Sequence, residues 1–453
     1  MLNCGLLGRH LLHSYSPQIH AMLYPYSYVL FEKEPEEVSA FLREGEWDGL
    51  NVTIPYKKEA YTAMDILGRD ASRAKSVNTI VHLPDGSLFG DSTDVYGFSE
   101  MVKHSGIQVR GKKAVVLGSG GASLAVVAAL QDLDAGNIVV VSRRAEEAKS
   151  SFSHLAGPQK KEASCCRTAS DQETASEEAL PAEIAFCGYE DFALFQDADL
   201  LINATPVGMY PENGASAVDL ERFSHLAGVL DLIYNPCRTA LLLQAEQLGI
   251  PYENGLYMLV AQAKKSAEIF TGEALSDGLI DGIYRKLYEE LQNIALIGMP
   301  GVGKTTIARM LHEKTGRAFY DTDDEITMRC GLTPRELIET RGEDAFRRIE
   351  TEVLADVSKR SHAIIATGGG IVTRKENYPL LHQNSRIIWL KRDISALPTK
   401  NRPLSQFGPL QNLYDVRRPM YEAFSDESAD LNSKEDVSRL ISRFGTKDGK
   451  EQA

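Results

Sequence analysis

The sequence has no apolar run approaching the roughly 18 residues that a membrane-spanning helix needs, so a transmembrane anchor of that kind is not expected. Cysteine is sparse. The six thiols (Cys4, Cys165, Cys166, Cys187, Cys237, Cys330) form no C-x-x-C pair and no Cys/His cluster, which argues against a disulfide framework and against a zinc site. The opening Met-Leu-Asn-Cys-Gly-Leu-Leu-Gly has neither the charged start nor the long apolar core of an export signal, so a cytoplasmic protein is expected. Positive charge is also short: 49 Lys and Arg face 63 Asp and Glu, a formal net charge of −14. A chain of that sign does not displace counterions from nucleic acid or coat an anionic membrane, so its important basic residues must act locally.

What is present starts with length. At 453 residues the chain is long enough for three folding units of about 150 residues, each with its own core. Gly298-Met299-Pro300-Gly301-Val302-Gly303-Lys304-Thr305 matches G-x-x-x-x-G-K-[ST] at every fixed position. An apolar run at 294–297 before it predicts a buried strand, and 306–314 after it a helix, which is the context this motif requires. In such a loop successive N–H groups face phosphate oxygens. Lys304 reaches the β and γ phosphates, and the Thr305 hydroxyl can hold Mg²⁺. An ATP- or GTP-using domain is therefore expected from about residue 293.

Upstream, residues 1–97 mix short apolar runs with helical periodicity, as at 28–31 followed by 35–43, which predicts a small α/β unit. Three clusters stand out in it. His13-Ser14-Tyr15-Ser16-Pro17 places two hydroxyls before a proline and, taken alone, reads as a helix cap. Asn51-Val52-Thr53-Ile54-Pro55-Tyr56-Lys57 reads as a strand ending in a proline turn and a lysine, and Asn78-Thr79 with Ser92-Thr93-Asp94 as polar turns.

A second unit opens at Gly111. A predicted strand at 113–117 runs into Gly118-Ser119-Gly120-Gly121-Ala122-Ser123 and a helix at 124–133, the start of a dinucleotide-binding βαβ in which glycine admits pyrophosphate to the helix N-terminus. Ser123 stands where the third glycine of G-x-G-x-x-G is usual, so the next strand decides more. That strand, 137–141, ends in Ser142-Arg143-Arg144 with no carboxylate for ribose hydroxyls. Two guanidinium groups there suit a 2′-phosphate, which favours NADP(H) over NAD(H). Residues 151–183 are polar and read as a surface insertion. Apolar runs then resume at 199–206 and 229–236, followed by an amphipathic helix at 256–271 and another helix at 277–291 that runs almost directly into the phosphate-loop strand.

Taken in chain order, these clusters make residues 1–291 resemble the shikimate dehydrogenase family. The matching motifs are the Ser14/Ser16 turn, Asn51 to Lys57, Asn78-Thr79, Ser92-Thr93-Asp94, the Gly118 loop, Asn203-Ala204-Thr205-Pro206-Val207-Gly208-Met209, Asp231 to Pro236, and Asn254-Gly255-Leu256 through Gln262. The resemblance implies that Lys57 and Asp94 form the catalytic pair. Chemistry agrees, because reducing a ketone with hydride needs a proton donor at the developing alkoxide, and a lysine oriented by a carboxylate supplies one. It further implies Ser14 and Ser16 on the substrate carboxylate, and Thr53, Asn78, Asp94 and Gln262 around the ring hydroxyls. Tyr234 and Gly255 fall at the substrate–nicotinamide junction. The NADP site is implied at Gly118, Ser119, Gly120, Gly121, Ala122, Ser142, Arg143 and Arg144. Lys264-Lys265 departs from the usual family pattern and reads as a solvated helix face.

Downstream of the phosphate loop, Asp321-Thr322-Asp323, Phe346 to Glu350, Gly368-Gly369-Gly370, Arg402-Pro403-Leu404 and Arg417 to Tyr421 follow in the order of the shikimate kinase family, which residues 292–445 resemble. In-line phosphoryl transfer needs a metal, a cationic clamp and a held hydroxyl. The resemblance implies ATP at Gly301, Val302, Gly303, Lys304, Thr305 and Thr306, with Arg402 closing from a lid. It places Mg²⁺ at Thr305 and Asp321, and shikimate at Asp323, Arg347, Gly369, Gly370 and Arg417. The segments 390–402 and 404–417 look shorter than in such kinases, which would alter the lid.

The expected protein is thus α/β throughout. A substrate domain at 1–98, completed by helices within 238–291, is followed by a Rossmann NADP-binding domain at 99–237 and a P-loop kinase at 292–453. Its expected work is the NADPH-dependent reduction of 3-dehydroshikimate to shikimate and the MgATP-dependent phosphorylation of shikimate to shikimate 3-phosphate. Small molecules are the expected partners, with neither nucleic acid nor membrane, and a homodimer is compatible with the sequence. One alternative has the first half act on quinate with NAD, against which Arg143 speaks. Another makes the kinase half a non-catalytic nucleotide-binding regulator, against which its retained charges speak.

Overall fold

The computed structural model describes residues 1–11, 14–155, 183–397 and 410–444. Arg402, His13 and most of the polar insertion lie outside the described residues. The chain divides into two compact units, one of Met1–Val207, Ser216–Tyr234 and Gln244–Lys286, the other of Gly208–Ala215, Asn235–Leu243 and Leu287–Ala453.

The first unit contains two six-stranded sheets. The N-terminal sheet is built from β1 (Asn3–Gly8), β2 (Ser27–Glu32), β3 (Gly49–Val52), β4 (Ile66–Leu67), β5 (Thr79–His82) and β6 (Leu88–Asp91), in the order β2-β1-β3-β5-β6-β4. Its β1, β2 and β3 run parallel, whereas β5 is antiparallel to both β3 and β6. The register sets Asn51 opposite Thr79 and Thr79 opposite Asp91, which brings three sequence-distant polar clusters to one end of the sheet.

The other sheet has β7 (Lys113–Leu117), β8 (Asn137–Val141), β9 (Glu183–Cys187), β10 (Leu200–Asn203), β11 (Gly228–Asp231) and β12 (Tyr252–Glu253), in the order β12-β11-β10-β7-β8-β9, all parallel. The order turns back between β10 and β7, so the crevice at the strand ends opens there. These strands are runs of Val, Ile and Leu buried on both faces, the composition expected where helices cover both sides of a parallel sheet. The helix after β7 spans Gly121–Asp132 and begins three residues earlier than its apolar run suggests, taking Gly121, Ala122 and Ser123 into its first turn. At Gly118 the backbone adopts φ +103, and a Cβ there would stand 2.9 Å from Thr205 Cγ2, so only glycine fits the turn.

In the second unit five parallel strands, β13 (Asn293–Ile297), β14 (Ala318–Asp321), β15 (Ala363–Ala366), β16 (Ser385–Lys391) and β17 (Glu427–Asp430), follow the order β14-β15-β13-β16-β17. The phosphate loop therefore leaves the central strand and enters the helix Lys304–Thr315. The segments Gly208–Ala215 and Asn235–Leu243 join this unit through the turn before β16. Asn213 donates to Gln383 Oε1 at 2.9 Å, the Arg238 guanidinium to the His382 carbonyl at 2.9 Å, and the Cys237 amide to Asn384 Oδ1 at 3.2 Å. Among the described residues no helix is long and apolar enough to cross a membrane.

Lys264 corrects the expectation of a solvated helix face. It lies on the helix Leu256–Thr271 and is only 4 % exposed, with its ammonium 2.7 Å from Glu268 and 2.8 Å from Asp277. Burial opposes its charge, but hydrogen bonds to Asp277 and Glu268 prevail and raise its pKa. Lys265 alone keeps an open face, with 42 % of its side chain exposed.

Candidate active sites

In the first unit the turn after β3 carries Lys57 to the start of the helix Lys57–Ala63, and Asp94 opens the helix Asp94–Ser105. The lysine Nζ donates to Asp94 Oδ2 at 2.7 Å, with the two side chains 25 % and 11 % exposed. The other carboxylate oxygen accepts from Asn78 Nδ2 at 2.9 Å, so both oxygens are held from the protein side. Asn78 is itself fixed, its Oδ1 accepting from the Thr93 amide at 2.9 Å. Gln262 approaches from the helix Leu256–Thr271, its Oε1 3.3 Å from Thr93 Oγ1. A partly covered ammonium beside a doubly anchored carboxylate can deliver a proton to an oxygen in the cleft and be recharged from solvent.

Ser14 and Ser16 do not cap the following helix through their side chains. The N-cap is Tyr15, without a side-chain cap, and Ser14 Oγ accepts instead from the Ser16 amide at 3.2 Å. Tyr15 packs edge-on against Tyr234 with ring centroids 6.1 Å apart, which brings the serine turn beside the end of β11. Burial first, then the neighbouring Tyr15, raises the Tyr234 pKa to about 12, so this phenol stays protonated in neutral solution. Thr53 follows β3 directly, and its amide donates to the Leu7 carbonyl at 2.9 Å. Gly255 precedes the helix that carries Gln262, with its amide bonded to the Ile233 carbonyl at 3.1 Å.

Around the Gly118 turn, Ser119 Oγ lies 2.9 Å from Ser142 Oγ, which ties the glycine loop to the end of β8. Arg143 and Arg144 are both exposed there. Arg144 pairs with Glu147 at 2.9 Å, while Arg143 lies near Tyr189, whose pKa burial raises and Arg143 opposes. Gly120 is the N-cap of the helix Gly121–Asp132, so the amides of Gly121 and Ala122 belong to its first turn.

In the second unit, Gly301, Gly303, Lys304, Thr305, Thr306, Asp321, Asp323, Arg347, Gly369, Gly370 and Arg417 all line one cavity of ≈ 640 Å³. Val302, also expected at the nucleotide, is 1 % exposed and is not part of the cavity wall. Thr305 Oγ1 donates to Asp321 Oδ2 at 2.7 Å, and Asp321 also caps the helix Thr322–Cys330 by accepting from the Asp323 amide at 3.0 Å. Protein packed around Asp323, followed by the charges of Asp321 and Glu350, raises its pKa to about 6. Opposite, buried Arg347 binds Glu350 at 2.7 Å and Glu343 at 3.2 Å. A Cβ on Gly370 would collide with that guanidinium, so glycine is what admits Arg347 to the site. Arg417 donates to the Gly369 carbonyl at 2.9 Å. Lys304 Nζ donates to the carbonyls of Gly298 at 2.9 Å and Met299 at 3.1 Å.

A second cavity in this unit, ≈ 540 Å³, was not foreseen. Met310, Arg392, Leu431, Ser433 and Val437 are among its walls. Met310 lies six residues beyond Lys304 on the same helix, and no motif in the sequence marks it.

Comparison with known proteins agrees with both halves. The profile of the shikimate dehydrogenase substrate binding domain matches residues 6–80, and that of shikimate kinase residues 300–444. A shikimate dehydrogenase (NADP(+)) of Caldanaerobacter subterraneus subsp. tengcongensis is 34 % identical over 295 residues, covering 63 % of this chain and 96 % of that protein. Among solved structures, a chorismate mutase/shikimate 5-dehydrogenase fusion protein from Clostridium acetobutylicum superposes with a TM-score of 0.53 at 32 % identity, over 63 % of this chain and 97 % of that one. The shikimate 5-dehydrogenase from Thermus thermophilus in complex with NADP(H) and shikimate gives 0.52 at 28 % identity, over 63 % and 99 %. The chain belongs to the shikimate dehydrogenase family and continues into a shikimate kinase domain, a bifunctional shikimate-pathway enzyme with NADP-dependent dehydrogenase and kinase activities.

Proposed function

We propose that the first unit reduces 3-dehydroshikimate to shikimate and that the second phosphorylates shikimate to shikimate 3-phosphate, in the cytoplasm. The 2.7 Å pair of Lys57 and Asp94, with Asn78 behind it, carries the first assignment. The cavity that gathers Lys304, Asp323, Arg347 and Arg417 carries the second. When bound, NADPH supplies the hydride and MgATP the phosphoryl group.

In the reduction, Lys57 gives a proton to the oxygen that gains charge as the carbonyl becomes an alcohol. Asp94 keeps the ammonium aimed, and Asn78 and Gln262 hold ring hydroxyls beside it, with Thr53. Ser14 and Ser16 take the carboxylate, and Tyr234 and Gly255 face the nicotinamide side. The chain's fit to NADP rests on Ser142, Arg143 and Arg144 at the end of β8, where both guanidinium groups are exposed and Arg144 is paired with Glu147.

In the kinase, Asp323 accepts a hydrogen bond from the attacking hydroxyl, and Arg347 and Arg417 clamp the carboxylate of shikimate, with Gly369 and Gly370 against the ring. Thr305 and Asp321 suit Mg²⁺, a cation that takes oxygen ligands, usually one or two protein groups with the rest water and phosphate. The cavity walled by Met310, Arg392 and Val437 suits an adenine ring, because Met310 stands about 9 Å along the helix axis from Lys304 at 1.5 Å per residue. Arg402, assigned to ATP by the resemblance, lies outside the described residues.

We further propose three functional domains, 1–98 with helices from 238–291, 99–237, and 292–453, the last joined in its compact unit by Gly208–Ala215 and Asn235–Leu243. Two assays test the assignments. Lys57→Ala should remove nearly all NADPH-dependent reduction of 3-dehydroshikimate, and full retained turnover would refute the catalytic pair. Shikimate and MgATP without any nicotinamide should yield ADP and shikimate 3-phosphate. Absence of both products would leave the second unit a nucleotide-binding appendage.

A further inference from the structure

One turn beyond Gln262 the helix Leu256–Thr271 carries a serine with no access to solvent: Ser266 is 0 % exposed. Its Oγ lies 2.9 Å from Asn51 Nδ2, 2.7 Å from Thr79 Oγ1, 3.1 Å from Thr93 Oγ1 and 2.9 Å from the main-chain carbonyl of Gln262. Asn51 belongs to β3, Thr79 to β5, and Thr93 precedes the helix of Asp94, so a single hydroxyl joins four elements. All three partners are buried, at 6 %, 0 % and 2 % exposure, and the cluster must satisfy itself without bulk water.

Proton counting then orders the cluster. A hydroxyl has one proton to give and two acceptor sites. The Gln262 carbonyl only accepts, so the Ser266 proton goes there. The Asn51 amide nitrogen only donates, and it fills one acceptor site of Ser266. The remaining site takes one threonine proton: Thr79 at 2.7 Å is nearer than Thr93 at 3.1 Å, and Thr79 lies closer to Ser266 than to its other acceptor, Asn78 Oδ1 at 3.0 Å. The Thr93 proton is consequently left for Asn78 Oδ1 at 3.2 Å and Gln262 Oε1 at 3.3 Å. The Asn78 oxygen, held first by the Thr93 main-chain amide at 2.9 Å, receives the hydroxyl as a second donor, and its Nδ2 is turned to Asp94 Oδ1. A flipped amide would set oxygen against carboxylate oxygen.

We propose that Ser266 is a positioning residue of the dehydrogenase: it fixes the proton direction of the Asn51–Thr79–Thr93 cluster and so holds in place, from behind, the Asn78 and Gln262 side chains whose amides the Thr93 main-chain N–H and the Leu259 carbonyl already orient beside Lys57 and Asp94. The inference rests on the reading of Lys57 and Asp94 as the catalytic pair. Ser266 touches neither the reacting atoms nor the cofactor loop, so its loss acts on turnover and leaves nucleotide binding alone.

The test uses the full chain and follows oxidation of shikimate by NADP⁺. Ser266→Ala should lower kcat about tenfold, raise KM for shikimate less than threefold and leave KM for NADP⁺ unchanged. Thr79→Val keeps the shape of the side chain and removes the proton that Ser266 accepts, and it should lower kcat in the same direction. The double variant should be no slower than the worse single one, because both break one network. Folded Ser266→Ala with kcat within twofold of the parent overturns the proposal, as does a double variant whose loss is the product of the two single losses. Should Ser266→Ala fail to fold, Thr79→Val decides alone, and kcat within twofold overturns the proposal. Lys57→Ala is measured alongside. If it is inactive while both network variants are unaffected, this inference fails and the catalytic assignment stands; if it is fully active, the catalytic assignment fails.

Discussion

Three residues show how local environment sets what a side chain can do. Glu253, at the end of β12, is buried, and burial outweighs the Asn254 amide that favours its charge, so its pKa is raised to about 7. Its nearest basic group, His104 at 3.7 Å, has its own pKa lowered by burial and helps little. The folded protein therefore holds a proton on Glu253 where the unfolded chain, with the ordinary value of 4.5, has lost it. Stability should decline as pH rises from 4.5 to about 7 and show no further effect of this group above that. Glu253→Gln should remove the decline, raising the thermal midpoint at pH 8 and changing it little at pH 4. In the proposed function Arg143 meets the 2′-phosphate of NADP. Arg143→Asp should weaken NADP⁺ relative to NAD⁺ by about 10- to 100-fold in kcat/KM, the range of one or two charge-assisted hydrogen bonds. Arg144, already paired with Glu147, should matter less.

At the scale of elements, the helix Leu256–Thr271 serves both the site and the frame. One side presents Gln262 and Ser266 to the polar cluster, while Lys264 anchors the helix to Glu268 and Asp277. Lys264→Ala removes a buried stem and leaves Glu268 with a weaker partner in Lys265, and should lower the unfolding free energy by about 2 kcal/mol in denaturant titration. The contiguous motifs were legible from sequence because their chemistry is local. A glycine-rich turn between a buried strand and a helix can be read without knowing the rest of the fold, and the strands of β7 and β8 were found to the residue. The role of Ser266, the burial of Lys264 and the cavity beside Met310 were not legible. Each depends on which side of a helix meets which other element, and the register of β3 against β5 that brings Asn51 to Thr79 is written in no single stretch.

For the whole molecule, the described residues assigned to the reduction, among them Lys57, Asp94, Tyr234 and Gln262, belong to the first unit, and those assigned to phosphoryl transfer to the second. The two chemistries should therefore separate by mutation. With 3-dehydroshikimate, NADPH and MgATP supplied together, Lys304→Ala should accumulate shikimate and stop there. Lys57→Ala should make almost no product until shikimate is added, and then phosphorylate it at the parent rate. The acidic surplus of the chain fits this division, since Lys304, Arg347 and Arg417 act locally within one cavity.

The second unit takes in Gly208–Ala215 and Asn235–Leu243, held by Gln383, His382 and Asn384, as well as everything from Leu287 on. Its parts leave the ribosome in three instalments, and the first two wait for their hydrogen-bond partners until the turn before β16 has been made. A gene cut at residue 287 would consequently divide that unit between two polypeptides: the upstream product would keep two loops stripped of their partners, and the downstream product would keep the partners without the loops.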